Sequence, residues 1–304
     1  MNCTVCSKSM QPFYHRRPER VCSEGGLTIH GQSGTVGKQA EAQRVHTSRS
    51  WWGLFFLAAP FLSLPRARAQ DIFEIQVYEY KTVEKGRYNL EVHFNNITRG
   101  TRQFEGRFAP TDNQFHLSLE LTRGITDHFE LAGYLLQAQR PGGGYEYAGA
   151  RVRPRVRAPE SWRLPVDVSL SFEVGFPRPE YDPNSVTLEI RPIIEKTFRH
   201  SRLSLNPVVG RAWRGPDTGE GFDFEPGAKY AWFLKKDRLN IGMEYYGSTG
   251  PITGFSALGE QVHILVPSAD VFFTKDLMLN LGVGVGLTSA GERLILKSRV
   301  GWRF

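Results

Sequence analysis

Four arginines, Arg151, Arg153, Arg155 and Arg157, recur at every second position of one short stretch. On one face of a strand that spacing stacks four guanidinium groups, whose charge does not titrate away in proteins. In a pore such a ladder would favour anionic solutes. It would be neutralised instead if acidic groups on other stretches faced it, and Glu120, Glu173, Glu189 and Glu244 occupy equivalent polar positions, with Arg191 and Arg299 as further cations. The abundance of acids favours neutralisation.

Other chemistry is thinner. His116 and Ser118 offer a base and a hydroxyl two residues apart, the raw material of nucleophilic catalysis. Glu189 with Glu195, and Asp223 with Glu225, are carboxylate pairs that read as partners for cations. Asp217, Glu220 and Asp223 supply three carboxylates but no calcium-loop spacing. Gly282, Gly284 and Gly286 form G-x-G-x-G, but no helical pattern follows to bind a dinucleotide. Cys3 and Cys6, with Cys22, His15 and His30 near them, fall short of a zinc-site spacing. No catalytic, cofactor-binding or metal-ligating set is therefore assigned, and no cofactor is expected.

These residues sit on strands. Tyr88, Leu90, Val92 and Phe94 alternate with Asn89, Glu91, His93 and Asn95, and Phe115, Leu117, Leu119 and Leu121 alternate with Gln114, His116, Ser118 and Glu120. The period of two recurs through 164–176, 186–191, 239–246, 277–287 and 294–304, and no comparable stretch has a helical period. About twelve strands of roughly 9–14 residues result, long enough to cross a bilayer at a tilt. Even-numbered joins such as TRGITD (122–127), FRHSR (198–202), LKKDR (234–238) and TKDL (274–277) are short. Most odd-numbered joins, among them 97–113, 177–184, 214–221 and 247–260, are longer and rich in Gly and Pro. Short turns on one side and long loops on the other belong to outer-membrane barrels. Trp213, Trp232 and Trp302 suit interfacial aromatic girdles.

No run of 18 apolar residues exists for a spanning helix. Residues 45–69 instead read as a signal peptide, with Arg44 and Arg49 leading, Trp51 to Leu64 as the apolar core and Ala67-Arg68-Ala69 as the cleavage site. Residues 1–44 read as a mis-called start or a disordered extension, and all three cysteines lie in it. Cleavage leaves 29 basic against 28 acidic residues, which removes the argument for a nucleic-acid partner. Residues 70–86 (QDIFEIQVYEYKTVEKG) alternate weakly. A lead-in on the periplasmic side, a plug or an extra strand would each suit them, and the lead-in is favoured because an extra strand makes the count odd.

A secreted β-sandwich or soluble barrel would alternate as well. The end of the chain separates the readings: Val300, Trp302 and Phe304 continue the apolar face to the last residue. The stretch V-G-W-R-F resembles the closing strand of Gram-negative outer-membrane barrels, and that resemblance implies that Phe304 is read by the barrel-assembly machinery. A second resemblance covers Tyr88 to Phe304. The turn TRGITDHFELAGYL (122–135) is similar to the G-[IVL]-T-[DN]-x-[FLW]-E-[LV] hairpin of the phenol-degradation (meta-pathway) transporter-like family. YAGARVRPRVR, VTLEIRPIIEK, FDFEPGAKY and the strand beginning NLGVGVGL fit it too. The resemblance implies a single antiparallel barrel, a link to uptake of hydrophobic compounds, and no catalytic residue set. An outer-membrane phospholipase is the enzymatic rival, but there His-x-Ser is followed by Asn-Gly, and here by Leu119-Glu120.

The expectation is an all-β protein: one transmembrane barrel of about twelve strands over residues 87–304, in the bacterial outer membrane. It would act as a narrow channel or facilitator for small, even hydrophobic, solutes. The alternative is a non-conducting structural or ligand-binding barrel, and a lipid-modifying enzyme is remote. Its partners would be outer-membrane lipids and lipopolysaccharide, the assembly machinery and a small solute. Lumen-lining candidates are Arg151, Arg153, Arg155, Glu120, Glu173, Glu189, Arg191, Glu244 and Arg299.

Overall fold

The computed structural model describes residues 71–104, 108–235 and 237–304. The expected extension (1–44), signal peptide (45–69) and Gln70 lie outside the described residues. Twelve strands follow one another: β1 (Tyr88–Arg99), β2 (Gln114–Thr126), β3 (Phe129–Gln139), β4 (Tyr145–Arg157), β5 (Asp167–Pro177), β6 (Val186–Thr197), β7 (Ser201–Arg214), β8 (Asp223–Lys235), β9 (Leu239–Ser248), β10 (Val262–Phe272), β11 (Leu277–Gly286) and β12 (Leu294–Arg303). Each pairs antiparallel with its sequence neighbours, and β1 pairs with β12, so the sheet closes on itself. Closure removes every unpaired edge, the condition for placing a sheet in hydrocarbon.

The period of two becomes an inside and an outside. On β3, Glu130, Ala132, Tyr134, Leu136 and Ala138 are buried, while Leu131 and Leu135 are exposed. The outward set elsewhere includes Phe172, Ile241, Met243, Leu281, Val283 and Val300. An interior that buries Glu120, Glu130, Arg153 and Lys229 behind an exterior of exposed apolar side chains is unlike a soluble barrel and calls for lipid around it. Aromatic side chains mark both rims. Tyr145, Tyr147 and Trp213 stand where strands meet the longer loops, and Trp232, Trp302 and Phe304 where they meet the short turns. The short turns, including 127–128, 198–200 and 273–276, define the periplasmic side.

Phe304 directly follows the closing strand. Its backbone exchanges two hydrogen bonds with Tyr88, of 2.9 and 3.0 Å, and its ring stacks on Tyr88 and lies against Trp302.

Residues 71–86 are not a periplasmic lead-in. They run inside the barrel from its loop end to the turn end, where the Gly86 amide donates to the Gly124 carbonyl (2.9 Å) and the chain enters β1. Phe73, Ile75, Val77, Tyr78, Tyr80 and Val83 are all buried. Their weak alternation suits a strand-like segment packed on both faces, and only a closed cylinder offers it two walls. The even strand count is kept because the segment joins no ladder of the sheet.

Candidate functional site

The interior is built from two layers around this segment. Toward the loops the wall is apolar. Ile97, Val262, Ile264, Val266 and Ile295 pack with Ile75 and Val77 on one side. Ala132, Leu136, Ala138 and Ala148 pack with Phe73 on the other. The Gly282 position shows how tightly this layer is filled, since a Cβ there would stand 2.7 Å from Val266 Cγ1 and 3.1 Å from Lys297 Cγ.

Toward the periplasm the wall is charged, and the charges answer one another. Arg151 bonds Asp71 and pairs with Glu173 at 3.1 Å. Arg153 bonds Glu120, reaches Glu130 at 3.1 Å and donates from its Nε to the Tyr134 hydroxyl oxygen at 2.6 Å. Its guanidinium also lies 4.6 Å from the Tyr78 ring centroid. Arg155 pairs with Glu130 at 2.8 Å and donates to the carbonyls of Glu79 and Lys81. Arg157, at the rim, bonds Glu160 and the Tyr80 hydroxyl. Arg191 pairs with Glu189 at 2.7 Å, and Arg299 with Glu91 at 2.6 Å. Glu244 is clamped between Lys297 at 2.5 Å and Lys229 at 3.2 Å, and Lys229 also holds Asp270. The arginine row is thus neutralised by Asp71 of the inner segment, by Glu130 and Glu173 of the flanking strands β3 and β5, by Glu120 of β2 and by Glu160 in the adjoining turn.

The inner segment is held by side chains, not by a ladder. Asn206 accepts from the Tyr78 amide (2.7 Å) and donates to the Tyr78 carbonyl (3.1 Å), as a strand neighbour would. Lys297 donates to the Ile75 carbonyl (2.8 Å), Ser118 to the Phe73 carbonyl (2.8 Å), and Glu130 accepts from the Val83 amide (2.6 Å). Gly124 lets the chain leave the lumen, because a Cβ there would meet the Glu84 carbonyl oxygen at 2.1 Å.

All nine lumen-lining candidates face this interior. His116 and Ser118 do so too, but His116 bonds Gln114 (2.5 Å) and Ser118 is committed to the inner segment, so they do not form a nucleophile and base. Asp217 accepts from the Asn184 side chain at 2.8 Å in its loop. Sequence reasoning did not single out Glu74, Tyr78, His93 or Asp270, although Lys229 and Lys297 were legible as polar-face cations. His93 and Asp270 lie on polar faces that alternation marks, whereas the role of Glu74 and Tyr78 depends on the path of the inner segment. A cavity of about 150 Å³ remains below the segment, reaching from Glu91, Glu120 and Arg299 to the turn residues Lys275 and Asp276.

Among solved structures, an outer membrane channel from Pseudomonas putida F1 is 13% identical, with a TM-score of 0.49 over 76% of this chain and all of that chain. The KdgM porin is 12% identical (TM-score 0.45; 71% of this chain, 98% of that chain). The NanC porin is 6% identical (TM-score 0.46; 70% and 97%). No curated protein matches the chain. Residues 81–304 match the family described as "Putative MetA-pathway of phenol degradation", and the chain belongs to that family.

Proposed function

We propose that the protein is an outer-membrane facilitator for small solutes whose path is closed by residues 71–86. The observation that carries this reading is the mode of attachment of the inner segment. It fills the lumen yet contributes no strand to the closed sheet, so its displacement would leave the barrel intact. Displacement would uncover an apolar wall toward the loops and a charged wall toward the periplasm. An apolar upper lumen suits hydrophobic solutes of small size. The neutralised charges support a second reading, a non-conducting barrel.

A cross-link separates the two. Gly227 faces Val77, whose Cγ2 lies 3.7 Å from where a Cβ on Gly227 would stand. Residues 71–304 contain no cysteine, so Val77→Cys with Gly227→Cys would tether the segment alone. In planar bilayers and in liposome swelling with small neutral solutes, the oxidised protein should be silent and the reduced protein should pass solute. Asn206→Ala, which frees Tyr78, should raise passage further. Silence in every state would establish the non-conducting reading. Equal passage when oxidised would show that the segment is not the gate.

A further inference from the structure

Glu74 of the inner segment, His93 of β1 and Glu120 of β2 meet inside the barrel, with one ligand atom from each lying within 4.8 Å of the others. All three are about 1% exposed. Their hydrogen bonding is divided in an unusual way. Glu74 Oε1 accepts from the Tyr78 hydroxyl, and Glu120 Oε1 accepts from Thr122 (2.6 Å) and Arg153. Neighbouring Glu91 uses Oε1 for Arg299 and Asn89. In each carboxylate the second oxygen, Oε2, has no hydrogen bond, and neither does His93 Nε2. His93 Nε2 lies 3.5 Å from Glu91 Oε2 and 3.8 Å from Glu120 Oε2, one ligand atom of Glu74 lies within 4.8 Å of both His93 and Glu120, and Glu74 Oε2 is 3.6 Å from Arg151 Nη1.

Burying a polar atom without a hydrogen bond costs roughly 1–3 kcal/mol, and more for a charged oxygen; contacts of 3.5–3.8 Å are too long to be hydrogen bonds, so a shared partner bound between these atoms would lower that cost. The spacing suits a metal. Two ligands each ~2.1 Å from a tetrahedral ion stand ~3.4 Å apart. The bonded Oε1 atoms supply the outer contacts that orient carboxylate ligands. We infer that Glu74, His93 and Glu120, with Glu91 beside them, form a binding site for one divalent first-row metal ion. One imidazole with two or three carboxylates is a donor set for Zn²⁺ or its neighbours in the series rather than for Ca²⁺ or Mg²⁺. The cavity lined by Glu91 and Glu120 gives the ion a route from the periplasmic side. Because Glu74 belongs to the inner segment and the other ligands to the wall, the ion ties the two together. The inference stands on the geometry alone, whether or not solute passes through the barrel.

The test is metal retention by the mature protein folded in detergent, stripped with chelator, loaded with Zn²⁺ and gel-filtered. One Zn²⁺ per chain should remain, and Co²⁺ in its place should give a visible absorption band. His93→Gln and Glu74→Gln should each weaken Zn²⁺ binding by more than ~100-fold, and Thr122→Ala, acting through Glu120, by ~10–100-fold. His263→Gln should bind as the wild type does, because that ring bonds Tyr245 and Gln261 elsewhere. The different electrophoretic mobility of heated and unheated samples reports whether each variant has folded. Zn²⁺ should also slow maleimide labelling of a Val77→Cys variant. No retained metal in folded wild-type protein, or equal retention in folded His93→Gln and Glu74→Gln, would overturn the inference; His93 as an imidazolium would then be the cation shared by the carboxylates.

Discussion

Replacing Arg153 by alanine is the sharpest test of a dry, ion-paired interior. The side chain is 2% exposed and serves Glu120, Glu130 and the Tyr134 hydroxyl, besides lying over the Tyr78 ring. Its removal leaves Glu120 with the Thr122 hydroxyl and the His93 ring and takes one of two arginines from Glu130, and both carboxylates are almost fully buried. Breaking a buried pair by removing one partner costs about 3–5 kcal/mol, far more than loss of an exposed pair. That is about two to four orders of magnitude in the unfolding equilibrium. Arg153→Lys keeps the charge but not the planar fork that reaches both acids, and should fall between alanine and wild type. Val152→Ala, one residue away on the lipid face, should cost less than ~1 kcal/mol. The assay is urea unfolding in lipid vesicles, followed by the emission of Trp213, Trp232 and Trp302, which face outward and change environment on extraction. An unchanged slope with a lowered midpoint would identify a stability effect. A cost below ~1 kcal/mol for Arg153→Ala would refute the reasoning, since it would mean that water reaches Glu120 and Glu130 and screens them.

Further outcomes follow from the same contacts. Glu244→Gln leaves Lys229 and Lys297 short of their shared carboxylate and should destabilise the barrel by about 3–5 kcal/mol in the same titration, although Asp270 still holds Lys229. Gly124→Ala puts a methyl group against the Glu84 and Val83 carbonyls. It should therefore loosen the inner segment while the barrel stays folded, read as faster protease cleavage within 71–86. Deleting Phe304 removes a ring contact and the last pairing with Tyr88. It should slow assembly in cells much more than it lowers the urea midpoint of refolded protein, and equal effects on both would deny Phe304 a targeting role.

The sequence by itself determined the barrel. Alternation requires nothing beyond neighbours two residues apart, so each strand could be read locally and about twelve could be counted, as the closed sheet of twelve bears out. The polar face could be assigned to the lumen for the same reason, and Arg151, Arg153, Arg155 and Glu244 could be named as facing it. Which acid met which arginine was not legible, because pairing between neighbouring strands depends on their register and stagger, quantities carried by no local pattern. The inner segment was illegible for a related reason. DIFEIQVYEY alternates as an exposed strand would, and only closure of the sheet creates a cylinder whose two walls can bury both of its faces. The cluster of Glu74, His93 and Glu120 is the extreme case. Its members come from the inner segment and two wall strands, their positions carry no common spacing, and they were brought within 4.8 Å of one another only when the chain folded back through its own barrel.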